Sequence, residues 1–229
     1  MALQEIPALA FTPATRIQES LVAGTEKRAL LWLAARTPAW INSDHLTVLG
    51  LAGNLGAGIC YALAGWEPRM LLGAVACLAV NWLGDSLDGT LARARDRQRP
   101  RYGFYVDHVI DTFSALFVMG GLALSGYTHP AVAMGMLVGY LMLSAEAYLA
   151  SYTLKRFRLS YAKLGPTELR ILLGVGSVVL LFRPVIHILG RPYLLFDVGG
   201  VIAMAGMAGM LVVSAICHTV QLYREERVQ

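Results

Sequence analysis

Two pairs of aspartates stand where acids are costly: Asp85 and Asp88 end one apolar stretch, and Asp107 and Asp111 begin the next, within DSLDGTLARARDRQRPRYGFYVDHVID. Acids at the edge of membrane-length segments mark a functional site by default. Positions three or four apart share one helix face, so each pair projects together. Two such faces brought together would pool four carboxylates, and like charges that close require shared protons or bound cations. Hard oxygen donors suit Mg²⁺, Mn²⁺ or Ca²⁺, and no paired His or Cys nearby favours zinc. A two-metal carboxylate cluster holding Mg²⁺ or Mn²⁺ is the leading reading.

The elements that must position these acids are apolar. The chain has 229 residues, 56% of them hydrophobic and 15% charged, with a mean hydropathy of +0.56. About a quarter charged is usual for a soluble domain, so an all-α integral membrane protein is expected. Segments of about twenty residues can span a bilayer, and six fall near 45–65, 69–91, 105–125, 129–153, 168–189 and 195–221. Gly65-Trp66-Glu67-Pro68, the 126–130 stretch and Gly190-Arg191-Pro192 punctuate alternate connections, as tight turns do. The remaining connections are basic: Arg93, Arg95, Arg97, Arg99 and Arg101 follow the second segment, while Lys155, Arg156, Arg158 and Lys163 follow the fourth. The positive-inside rule then puts both termini and the acids on the cytoplasmic side, as in a bacterial or archaeal inner membrane.

Residues 16–36 carry Ile17, Leu21, Leu30, Leu31 and Leu33 among charges at helical spacing, which predicts an N-terminal interfacial amphipathic helix. The first fifteen residues lack a basic start followed by a long apolar run, so no cleavable signal peptide is expected. Residues 1–43 thus form an N-terminal interfacial segment, 44–222 a six-helix transmembrane catalytic domain and 223–229 a cytoplasmic tail. Cys60, Cys77 and Cys217 lie in apolar stretches without metal-ligand spacing and read as small buried hydrophobes. No nucleic-acid module is evident.

Asp85-x-x-Asp88-Gly89-x-x-Ala92-Arg93, followed by Gly103-x-x-x-Asp107-x-x-x-Asp111, resembles the signature of the CDP-alcohol phosphotransferase family, whose members transfer a phosphorus-containing group from a CDP-linked donor to a hydroxyl and release CMP. The resemblance covers under a seventh of the chain. It implies that Asp111 is the general base, with Asp85, Asp88 and Asp107 mainly binding metal; spacing alone does not separate Asp107 from Asp111. It also implies a cytidine site over Gly89 and Ala92, which would otherwise serve close helix packing. Arg93 can pair a donor phosphate, and Gly103 is expected to permit the entry turn of the third segment. Upstream, the 42–50 string partly resembles the family's entry to the first span, with Asp44 as a helix cap and Thr47 helping to hold the nucleotide. The family further implies a homodimer, to which Gly135-x-x-x-Gly139 on a lipid-facing side could contribute.

The substrates are less specified. Arg170, with Arg156, Arg158 and Lys163, can form a pocket for an anionic headgroup or acceptor phosphate, or simply anchor the fold. Glu146, mid-segment, either pairs across the bundle or lines the acceptor cavity. His108 makes an Asp-His-x-x-Asp string similar to family branches using CDP-choline or CDP-ethanolamine, while the short chain resembles branches using CDP-diacylglycerol. Intramembrane prenyltransferases also bind Mg²⁺-pyrophosphate through Asp-rich helices, but Gly89-x-x-Ala92-Arg93 speaks against them. A cation-coupled transporter would use the same acids without releasing CMP.

Overall fold

The computed structural model describes residues 15–17, 23–154, 156–158 and 166–226. Seven helices dominate: α1 (Ala23–Arg36), α2 (Ser43–Ala64), α3 (Met70–Ala94), α4 (Pro100–Leu124), α5 (Pro130–Leu154), α6 (Pro166–Leu180) and α7 (Leu195–Glu225). Two short strand pairs accompany them, β1 (Thr15–Ile17) beside β2 (Arg156–Arg158) in parallel, and an antiparallel hairpin of β3 (Val185–Ile188) and β4 (Arg191–Leu194). Five helices, α2 to α5 and α7, are long and apolar enough to cross a membrane.

The expected segment at 168–189 is shorter than its hydropathy suggests. Helix α6 has 15 residues, about 22 Å of rise. Pro184 lacks an N–H and disfavours helical geometry at Arg183, and the β-branched run that follows pairs as a hairpin instead. Its turn uses Leu189 and Gly190, both at positive φ (51° and 78°), the arrangement of a two-residue primed turn. The expected helix over 16–36 begins at Ala23 in the described chain. Leu30 and Ala34 are buried against Leu46, Leu87 and Leu91, while Leu31 faces outward and Leu33 is half-buried. Ile17 lies in β1 and Leu21 outside the described residues.

Helix α2 is the spine. Helices α3 and α4 each pack on it and only weakly on each other, α6 packs on α3, and α7 packs on α5. The α2–α3 crossing is backbone on backbone: a Cβ on Gly84 would sit 2.5 Å from both Gly50 N and Leu46 O, and one on Gly53 would sit 2.7 Å from Asn81 N. Gly58 and Gly121 make the equivalent approach between α2 and α4. Without a hydrophobic force between helices in lipid, such close van der Waals packing is a main source of association. The largest core cluster gathers Tyr61, Ala64, Leu71, Leu78, Leu122 and Leu180 at the end of the bundle remote from the acids. There Tyr61 and Ser177 share a 2.7 Å hydrogen bond between α2 and α6.

Gly135 and Gly139 do not form a free face. A Cβ on Gly135 would meet Met204 Sδ at 2.5 Å, and one on Gly139 would meet Met207 Cε at 3.1 Å. The small residues expected at a dimer contact instead seat α7 against α5 of the same chain.

Gly84→Ala is expected to cost about 1–3 kcal/mol through overpacking, read as a lower thermal midpoint of the detergent-solubilised protein. Gly120→Ala, where a Cβ meets nothing within 4 Å, should leave the midpoint unchanged or raise it slightly.

Candidate active site

Because α3 and α4 lie on α2 rather than on each other, their ends part over it and leave a cleft. Thr47, Gly50 and Leu51 of α2 form its back; Asn81, Asp85 and Asp88 of α3 and Asp107, Ile110, Asp111 and Ser114 of α4 form its walls. The cleft encloses about 230 Å³ including its mouth. All four sequence-predicted aspartates therefore meet at one place. The chain turns between them through Arg95–Arg99, with Asp96 at φ 53°, and Pro100 opens α4 at a position where a missing N–H costs nothing.

The carboxylates differ in their partners. Thr47 Oγ1–H donates to Asp88 Oδ2 at 2.7 Å, the Gly89 N–H donates to Asp88 Oδ1, and Ser43 Oγ–H donates to the Asp88 carbonyl at 3.1 Å. Both Asp88 oxygens are thus held, which fixes its rotamer. Asp85 Oδ2 accepts from Arg170 Nη2 at 2.6 Å, with both side chains largely shielded from solvent. Arg170 reaches the acids from α6, so its expected place near their depth holds. Of its companions, only the backbone of Arg156 and Arg158 is described, in β2, and Lys163 lies outside the described residues.

For a divalent ion the donor chemistry fits: four hard carboxylates line one cleft, and the Arg170 guanidinium already supplies positive charge to one of them. Among the described residues no three His, Cys, Asp or Glu side chains are grouped closely enough to hold a metal as they stand. A bound ion would therefore need these side chains to turn toward one another.

Gly89 is not a packing seam. A Cβ there would meet only the Arg93 guanidinium, at 3.3 Å, while Arg93 is exposed and hydrogen-bonds Thr90 Oγ1 at 3.2 Å. Ala92 is half-buried one turn on. The α3 surface beside Asp88 is thus bare, with a cation folded over it. Gly103 has ordinary helical geometry inside α4, with open space where a Cβ would stand, so the entry turn does not need its freedom.

The cap of α2 differs from the expected one, and Glu146 and His108 gain described neighbours. Helix α2 is capped by Asn42, whose Oδ1 accepts from the His45 N–H at 3.0 Å while His45 Nδ1 accepts from the Asn42 N–H at 3.2 Å. Asp44 instead pairs with Arg99. Glu146 pairs with His218 of α7, Oε1 to Nδ1 at 2.6 Å, so it bridges the bundle. His108 is packed among aromatic rings, 4.2 Å from Phe104 and 4.9 Å from Tyr148.

The sequence reading missed several residues. Asn81 and Ser114 line the cleft one turn behind Asp85 and Asp111, and their spacing to those acids was the available signal. Glu26 of α1 accepts from Trp82 Nε1, Ser86 Oγ and Thr167 Oγ1 at 2.8, 3.3 and 2.9 Å, tying α1, α3 and α6 together beside Asp85. Arg95, expected only among the basic anchors, donates to the carbonyls of Ile41, Thr37 and Pro38.

Residues 40–219 match the family model described as CDP-alcohol phosphatidyltransferase. A stretch of 104 residues is 33% identical to the archaetidylinositol phosphate synthase of Pyrococcus horikoshii, covering 45% of this chain and 52% of that protein. The chain thus spans about half the length of that relative. The family match takes in the whole cleft, from Thr47 to Arg170, and the chain belongs to the CDP-alcohol phosphatidyltransferase family.

Proposed function

We propose that this protein is a phospholipid-synthesising transferase that moves a phosphatidyl or phospho-alcohol group from a CDP-linked donor to a hydroxyl acceptor, releasing CMP. The observation that carries the reading is the convergence of Asp85, Asp88, Asp107 and Asp111 on one cleft beside the bare Gly89 surface. The relative's name makes an inositol phosphate the first acceptor to try.

Asp85, Asp88, Asp107 and Asp111 would hold two Mg²⁺ or Mn²⁺ ions, which when bound would neutralise the donor pyrophosphate and favour departure of CMP as the acceptor hydroxyl attacks. The chain's own residues do the rest. Thr47 keeps Asp88 in one orientation. Gly89 and Ala92 leave room for the cytidine, and Arg93 turns from Thr90 to a donor phosphate oxygen. Arg170 exchanges Asp85 for a substrate phosphate, which transfers its charge from protein to ligand. Asp111 accepts the proton of the attacking hydroxyl at its carboxylate.

In the membrane, α6 makes the fifth of six crossings. Support comes from its two ends: Arg170 touches Asp85, while Ser177 touches Tyr61 and Leu180 joins the remote core. Helix α7 then starts at the same remote end, where Asp197 Oδ1 accepts from Thr128 Oγ1 at 2.7 Å and from the His129 N–H at 2.6 Å. Both termini and the acids lie on the cytoplasmic side by the arginine asymmetry. Residues 1–43, including α1, lie along the interface; 44–222 form the catalytic bundle and 223–229 its tail. The protein works as a homodimer, as its family resemblance implies, through a surface other than the Gly135–Gly139 seam.

Purified protein with Mg²⁺ or Mn²⁺ should release CMP only when donor and acceptor are both present, and a chelator should stop it. The panel crosses CDP-diacylglycerol, an archaeal-type CDP-ether lipid, CDP-choline and CDP-ethanolamine with inositol phosphate, glycerol phosphate, serine and diacylglycerol. No CMP from any combination overturns the assignment. Asp111→Asn should lower turnover on the order of 10²–10⁴-fold while CMP with metal still raises the thermal midpoint. Arg170→Ala should raise the acceptor KM more than the donor KM; an equal rise in both would make the residue a structural partner of Asp85 alone.

A further inference from the structure

Asn81 and Ser114 are 3% and 6% exposed, and each presents a buried polar atom, Asn81 Oδ1 and Ser114 Oγ, with no hydrogen-bond partner among the described residues. Both side chains line the acidic cleft. A buried polar atom left unpaired costs about 1–3 kcal/mol, so two at the floor of one cleft call for a shared explanation. The orientation of Asn81 is fixed by its other end: Nδ2–H donates to the Gly50 carbonyl at 2.9 Å, which only the NH₂ side can do, so the amide oxygen is the end left for the cleft. Ser114 is unusual among the helix hydroxyls. Thr90, Thr112, Thr153 and Ser177 each return a hydrogen bond to the carbonyl four residues earlier, the common resolution for such side chains. Ser114 does not, and its hydroxyl stays available.

We propose that Asn81 and Ser114 form a polar floor that holds one ordered water beneath the carboxylates and through it positions Asp111. The chemistry selects a small neutral donor: an amide oxygen repels an anion, and the Ser114 hydroxyl completes the bridge by donating to the water. The water-sized space at the cleft, about 10 Å³, is near the minimum for a single water. Ser114 stands three residues after Asp111 and Asn81 four before Asp85, so each lies one turn behind its acid on the same face. With Ser114 Oγ–H donating to the water and the water donating one hydrogen to Asn81 Oδ1, its second hydrogen is left for Asp111. Asn81 and Ser114 are thus positioning residues, and their effect on turnover rests on the proposed transfer reaction, whereas the water itself does not.

The test has two arms. A structure of the full chain, at a resolution that shows other buried waters, should reveal one density about 2.8 Å from Asn81 Oδ1 and Ser114 Oγ. An empty floor, or contacts near 2.4 Å that mark a cation, overturns the proposal whether or not CMP is ever released. In the second arm Ser114→Ala should lower kcat about ten- to a hundredfold with the donor KM and thermal midpoint unchanged, and Ser114→Thr should restore it. An active Ser114→Ala, or a loss that Thr does not rescue in a folded protein, overturns the positioning role.

Discussion

Four carboxylates can share one cleft at the end of an apolar bundle only when the backbones behind them come closer than side chains ordinarily permit. Gly50 against Gly84 and Gly58 against Gly121 provide that approach. Because α2 takes both contacts, α3 and α4 are held to it and diverge from each other, and the wedge between them is the cleft. Bulk at any of these glycines would separate the acid-bearing faces before it touched an acid.

The charge so concentrated meets neighbours from two other helices, and the ends of α3 and α6 are braced beside it. Arg170 from α6 meets Asp85, and Thr47 from α2 meets Asp88. Glu26 from α1 receives three donors that brace α3 and α6, and Arg95 gathers three carbonyls of the α1–α2 connection onto the end of α3. Breaking a buried pair by removing one partner costs more than the pair is worth intact. The pair of Arg170 and Asp85, with both side chains largely shielded from solvent, is therefore one from which neither partner is removed cheaply.

What could be read from the chain follows how local each signal is. Helices α2 to α5 match their expected bounds within a few residues, since long apolar runs end at Gly and Pro. Helix α6 does not, because Val185–Ile188 is as apolar as a helix but β-branched, and Pro184 decides its geometry. The four aspartates were legible from three- and four-residue spacing. The partners of those acids were not: Thr47 meets Asp88 across 41 positions and Arg170 meets Asp85 across 85, pairings set by tertiary packing alone. The cap at Asn42 was missed because its reciprocal partner is a histidine rather than the usual Glu or Gln.

The seams of the bundle differ in what they are made of. Between α2, α3 and α4 the contact is peptide on peptide, which cannot compress. Between α5 and α7 it is glycine on the thioethers of Met204, Met207 and Met136, side chains with many rotamers and polarisable tips. The protein is therefore graded in mechanical stiffness, with a rigid trio carrying the acids and a compliant wall carrying the Glu146–His218 pair. One side of the bundle can thus yield while the carboxylates on the other keep their register.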